Sequence, residues 1–491
     1  MGLAGDGDGG HQPISSSGMV VPPVDETALC FLPAAAVASL MRDRQLSPVE
    51  VVDAVLRRIE RLNPTLNAYC LVLADDARAQ AKRAEAALAR GDRQGPLHGV
   101  PVAVKDNLAM AGVPFTYGSR LLRDVVAAED TPTVARLKQA GAIIVGRTNT
   151  PEFAWRGSTD NRLYGATCNP WDRSRTAGGS SGGSGAAVAA GLAYLALGTD
   201  GAGSIRIPSS FCGIVGLKPS FGRVPMYPTS GVSEQIGHAG PMTRTVRDAA
   251  ILLDVVAGPD ERDRYSLPPS QERYADAPGQ GIRGLRVAWS RGLEHIPVEP
   301  EMARLAESAA RTFVALGCVV DEPRLDLPDP APILAVTYPA TQAGAHGGRP
   351  PTELAEMDPG LVAIVEEGKR YSIVDLGRAL NARTAYWDVM RRVFERYDLL
   401  LTPTTSVPPF ALGLVNPPDV AGAPVAHLAW TLAYPFNFTG QPAVTVPCGF
   451  TATGLPAGLQ IVGPRFADGT VLRAAAAYEA LRPWQDRRPP A

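Results

Sequence analysis

Residues 178–208 read GGSSGGSGAAVAAGLAYLALGTDGAGSIRIP, with Ser180 and Ser204 in two glycine-rich runs 24 residues apart. A bare Gly-Ser run is usually a linker. Here Ala186-Ala187-Val188-Ala189-Ala190 follows at once and reads as a buried helix, and Leu192 to Leu197 reads as a strand. A helix, a strand and then a Gly-rich loop put Ser204 just past the carboxyl end of a strand, where α/β sites form.

The pattern continues on both sides. Ser47-Pro48-Val49-Glu50 is a capping box with proline at the first helical position, opening an amphipathic helix to about Leu62. A second helix is expected from about Asp75 to Ala89, a strand ending at Lys105, a helix over about Pro132–Ala140, and a strand from Ala142 to Val145. That alternation suits a mostly parallel sheet. Val246–Val256 reads as a helix, and a charged, proline-bearing loop from Gly258 to Gly281 leads to a strand at Leu285–Trp289 and a helix from about Glu301 to Leu316. Late strands are expected at Leu399–Leu401, Ala443–Val446 and Leu459–Val462, and a last helix at Gly469–Leu481. Residues 327–371 show little periodicity. The length alone allows about three domains, but motifs spread along the whole chain argue for one.

Attack on an amide needs an activated hydroxyl, a proton acceptor and donors for the oxyanion. Glycines before Ser204 clear the approach to a carbonyl, so the backbone amides of Gly201, Ala202, Gly203 and Ser204 form a candidate oxyanion hole. Ser180 supplies a second hydroxyl. None of the six histidines sits in a Gly-x-Ser-x-Gly elbow. Lys105 closes the apolar run Pro101-Val102-Ala103-Val104, and burial favours the neutral amine that can accept a proton. Alone, a lysine at a strand end is a solvated charge; beside the two serine runs it is a candidate base. Asp200 and Arg206, flanking Ser204, read as a pair that braces the loop, and His238 either lines the pocket or holds a loop.

Other chemistries fit less well. The glycines lack the Gly-Lys-Ser/Thr end of a phosphate loop, no His-Glu-x-x-His is present, and the six cysteines have no Cys-x-x-Cys spacing. Net charge is −2 with no long basic run, which argues against nucleic acid. Hydrophobic content of 45% supports a large core, and no apolar stretch is long enough to span a bilayer. The first ten residues, rich in Gly and Asp, look disordered, and no secretory leader is visible. A cytoplasmic protein is expected.

The run Thr199-Asp200-Gly201-Ala202-Gly203-Ser204-Ile205-Arg206-Ile207-Pro208 resembles the amidase signature family. Weaker likeness covers roughly residues 34–482, through Val104-Lys105-Asp106-Asn107, Gly146–Phe153, Gly213–Pro219, Gly240–Val246, Leu401–Thr404 and Gly440–Ala443. The resemblance implies one large α/β domain, a twisted, mixed, mostly parallel sheet covered by helices on both faces. It places a flexible segment at residues 1–30, the amidase domain at 31–485 and a tail at 486–491. It also implies Ser204 as nucleophile, Ser180 as a relay after a cis peptide bond, and Lys105 as general base. Expected with it are a small-molecule amide substrate, no metal or cofactor, no nucleic acid or membrane partner, and room for a homodimer. Candidate pocket residues are Met110, Tyr117, Phe153, Trp155, Trp430 and Phe436, each with ordinary core packing as the alternative, and His238; aromatics in that number suit an aryl or bulky acyl group. Esters and carbamates share the carbonyl geometry. The alternatives are the glutaminase component of a tRNA-dependent amidotransferase, whose pocket needs charged groups to hold an amino acid while His427–Phe436 contains no acidic residue, and a catalytically silent scaffold.

Overall fold

Strand β2 (Pro101–Lys105) is buried along its whole length and lies between two parallel neighbours, β3 (Ile143–Thr148) and β4 (Leu195–Asp200). The computed structural model describes residues 25–92, 95–229 and 234–490. Around β2 the described residues build one sheet with eight further strands: β1 (Tyr69–Val72), β5 (Val215–Lys218), β6 (His238–Thr243), β7 (Arg286–Trp289), β8 (Val319–Asp321), β9 (Leu399–Pro403), β10 (Ala443–Phe450) and β11 (Pro456–Val462). The order across the sheet is β1-β3-β2-β4-β6-β5-β10-β11-β9-β7-β8.

The sheet is mixed, and the expectation that it is mostly parallel is corrected. Parallel pairs occur at β3/β2/β4 and β9/β7/β8; the other six pairings are antiparallel. The physical reason lies in β5 and β6, which sit between the two parallel blocks and run against their neighbours. Their sequences, Val-Gly-Leu-Lys and His-Ala-Gly-Pro-Met-Thr, carry too much glycine and proline to read as central strands.

Local signals explain the helices that position the site. Ser47 and Glu50 form the reciprocal cap of the helix Pro48–Leu66, which buries Val51, Val52, Val55, Leu56 and Ile59. The alanine-rich segment is the helix Gly182–Ala189, buried throughout because small side chains let it lie deep in the protein. Helices Ala74–Arg90, Pro132–Gln139, Val246–Val256, Pro300–Ala315 and Asp468–Leu481 fall within a few residues of expectation. The unreadable region contains the helices Ala331–His346, Pro351–Glu356 and Pro359–Gly368, followed by the longest helix, Ile373–Arg396.

One apolar cluster joins the helix Pro48–Leu66, β2, β3, β4, the helix Pro300–Ala315, β10, β11 and the helix Asp468–Leu481, so early and late segments share a core. The first 24 residues of the expected flexible segment lie outside the described residues, and Glu26–Phe31 is already helical. In the expected tail, Arg487 and Arg488 lie over the rings of Phe450 and Phe31, at 4.3 and 4.6 Å.

Candidate active site

Lys105 ends β2 and Thr199 nearly ends β4; the parallel register that pairs Val104 with Leu197 brings their side chains together. Lys105 Nζ lies 2.7 Å from Ser180 Oγ and 2.9 Å from Thr199 Oγ1, and Asn107 Nδ2 donates to Thr199 Oγ1 at 2.7 Å. Lys105 and Ser180 are both fully buried. Burial holds the Lys105 amine well below its ordinary value of 10.5, an effect that the charge of Asp200 opposes. Among the described residues Lys105 forms no ion pair.

Ser180 precedes the helix Gly182–Ala189 and follows a cis Gly179–Ser180 peptide bond. Gly179 is fixed by close packing: a Cβ there would come within 2.7 Å of the Ser158 backbone. Ser204 lies on the loop after β4, half-buried, and the two loops are tied by the amide of Ser181 donating to the Ser204 carbonyl at 3.1 Å.

The Ser204 loop is held from below by charge. Arg206 grips Asp200 with two bonds of 2.9 Å, and both residues are fully buried. The remaining guanidinium donors go to Ala433 O, Gln460 Oε1 and Asn437 Oδ1. Burial alone raises the pKa of Asp200; the charge and hydrogen bonds of Arg206, with Lys218 and Asn437, more than reverse this and hold it well below the carboxylate range. The expected bracing pair is present.

That carboxylate also accepts from the amides of Gly203 at 2.7 Å and Ile205 at 3.1 Å. The expected oxyanion hole is therefore corrected at one member. The Gly203 amide is spent on Asp200, whereas the amides of Gly201, Ala202 and Ser204 are not so engaged.

A cavity of about 350 Å³ opens over Ser180 and Ser204. Of the expected pocket residues, Tyr117, Phe153 and His238 line it. Met110, Trp155, Trp430 and Phe436 do not: each is buried in an apolar cluster. Phe115, Tyr117 and Phe153 form a run of rings with centroids 6.0 and 5.6 Å apart, and Tyr117 and Phe153 both hold φ near +50°. Such backbone is costly for side chains of this size and clusters at functional sites. Tyr338, Gln342, Ile236, Leu428 and Arg156 also line the cavity. Sequence reading missed them because nothing in their local pattern separates a cavity wall from a core.

His238 lines the cavity yet has no free nitrogen. Nδ1 faces the Ile236 carbonyl at 2.8 Å, and Nε2 lies 3.2 Å from Lys218 Nζ, which also donates to the carbonyls of Pro219 and Gln441. The ring is neutral, with Nδ1 the donor and Nε2 the acceptor; burial and then the neighbouring Lys218 hold its pKa well below the usual value. Among the described residues no cluster of His, Cys, Asp and Glu could hold a metal ion, and the cysteines are free thiols. No helix among them is long and apolar enough to cross a membrane.

A buried lysine touching a serine, with a second serine on a glycine-rich loop after a parallel strand, can pass a proton from a hydroxyl to an amine. The Amidase family model matches residues 50–472, and the chain belongs to the amidase signature family. An acylamidase from Rhodococcus erythropolis is 41% identical over 94% of this chain and 98% of its own length. A glutamyl-tRNA(Gln) amidotransferase component from Moorella thermoacetica is 38% identical over 94% and 99%. The crystal structure of a bacterial aryl acylamidase of the same family superposes with a TM-score of 0.88 at 34% identity, covering 93% of this chain and 97% of the other. The chain is an amide-hydrolysing enzyme.

Proposed function

We propose that the protein is a stand-alone amidase that cleaves aryl amides through an acyl-enzyme on Ser204. The observation that carries this is the buried Lys105 amine, 2.7 Å from the Ser180 hydroxyl and without a carboxylate partner among the described residues. Neutral Lys105 accepts the Ser180 proton, Ser180 accepts the Ser204 proton, and Ser204 Oγ bonds to the amide carbon. The amides of Gly201, Ala202 and Ser204 hold the oxyanion. As the tetrahedral adduct collapses, Ser180 returns a proton to the departing nitrogen and is reprotonated by Lys105; water then releases the acid by the same path. The ring-lined cavity supports an aryl group on the substrate. Esters and carbamates present the same carbonyl.

Likeness to a component of a glutamyl-tRNA(Gln) amidotransferase favours glutamine as a second reading. A glutaminase must hold the ammonium and carboxylate of an amino acid. The carboxylate lining this cavity, Asp200, is already committed to Arg206, which favours the aryl amide.

In the test, Ser204→Ala abolishes turnover and labelling by a fluorophosphonate, while wild type is labelled and cleaves anilides faster than glutamine. Lys105→Ala loses far more activity on anilides than on activated esters, because only the amine must be protonated to leave. Burst acylation retained by Ser204→Ala defeats the assignment, and a glutamine preference transfers it to the second reading.

A further inference from the structure

Behind the Ser204 loop lies a second cavity of about 200 Å³. It shares Gly201, Ala202, Ile236 and Tyr338 with the first, so the two cavities adjoin at these residues. Its other walls combine apolar side chains, Leu334 from the helix Ala331–His346, Leu376 and Leu380 from the helix Ile373–Arg396, and Phe438, with Thr337 and Thr341. At the far end stands Arg383, with Nε donating to the Phe438 carbonyl and Nη2 to the Gln235 carbonyl, each at 2.9 Å. Beyond it the cavity meets a surface groove of about 440 Å³, with which it shares Gln235, Leu380, Arg383 and Phe438.

The residues that handle protons decide which part of a substrate can enter. Ser180, Thr199 and Asn107 line the first cavity and not the second. The leaving nitrogen must face Ser180 to receive its proton, so the aryl amine occupies the first cavity. An arm that passes Gly201 and Ala202 in the other direction is bonded to the carbonyl carbon.

Resting on the hydrolase reading above, we propose that the second cavity is an acyl-chain site, and that the preferred substrates are anilides of unbranched aliphatic acids longer than acetate. Burying a methylene is worth about 0.8 kcal/mol, close to fourfold in affinity. Even with incomplete burial, kcat/KM rises on the order of 50-fold from acetyl to hexanoyl.

The experiment measures kcat/KM for the 4-nitroanilides of acetate, butyrate, hexanoate and octanoate, and for acetamides of N-alkyl amines of matching length. Wild type shows the rise on the acyl side. Leu376→Trp and Thr341→Phe each fill the second cavity without touching the first, and each lowers the hexanoyl-to-acetyl ratio at least tenfold. Fluorophosphonate labelling of Ser204 in both variants reports an intact site. A flat acyl series in labelled wild type, or the wild-type ratio in both labelled variants, overturns the acyl site alone. A length dependence confined to the N-alkyl series overturns the assignment of the arm. No cleavage of any member by an enzyme whose Ser204 is unlabelled overturns both this inference and the reading beneath it.

Discussion

At Lys105 the fold removes water and supplies two hydroxyls in place of a counter-ion. On the proposed mechanism protonated lysine cannot take the serine proton, so kcat/KM on an anilide rises with pH through the lowered pKa of Lys105 and levels off once the amine is neutral. His238→Asn keeps that rising limb, since both ring nitrogens are occupied away from Ser180; loss of the limb in this variant would make histidine the base. Arg206→Met strands a buried carboxylate and lowers the unfolding free energy by about 3–5 kcal/mol in urea titration, a loss that Arg206→Lys does not repair because one ammonium cannot reproduce the fork. The contact between Lys105 and Ser180 was legible because both residues, like Ser204, stand in unusual local sequence. The cavity wall was not. Trp155 and Trp430 looked like pocket aromatics by their nearness to motifs, yet facing is set by tertiary packing, and both turn into core.

Among the elements, the loop between β4 and the helix Arg206–Cys212 has the least freedom to vary. Gly203 holds φ at +109°, and a Cβ there would sit 2.8 Å from the Ala433 Cβ. Gly203→Ala displaces the neighbouring amides that the proposed mechanism assigns to the oxyanion; kcat falls on the order of 100-fold while the far-ultraviolet circular dichroism stays native. An unchanged kcat would show that the loop tolerates the shift. Elements with a strong local signal were legible, as in Ser47-Pro48-Val49-Glu50. The helix Ile373–Arg396 carried a comparable signal in Ser372 and Asp375, which cap it reciprocally, but its buried face of Ala379, Tyr386, Met390 and Val393 is blurred in the sequence by the exposed Ile373, Val374 and Leu380. The strand β6 hid behind Gly240 and Pro241, which tertiary pairing with β4 and β5 overrides.

For the whole molecule, the shared core makes the pH dependence of stability a property of the entire fold. The amine of Lys105 is neutral-favouring when folded and ordinary when unfolded, so between its lowered value and 10.5 the unfolded chain binds the extra proton. Stability therefore rises with pH across that window, by up to about 1.4 kcal/mol per pH unit from this one group. Lys105→Met removes the contribution: its unfolding free energy exceeds that of wild type by most at the acid end of the window, and the gap closes towards pH 10.5. A constant gap across the window would show that Lys105 keeps its proton on folding. The same burial makes folding an acid-releasing reaction. The chain enters its native state by handing the Lys105 proton to the buffer, so the heat of refolding depends on the ionisation enthalpy of that buffer. On the proposed mechanism the base is made ready once, during assembly, before any substrate arrives.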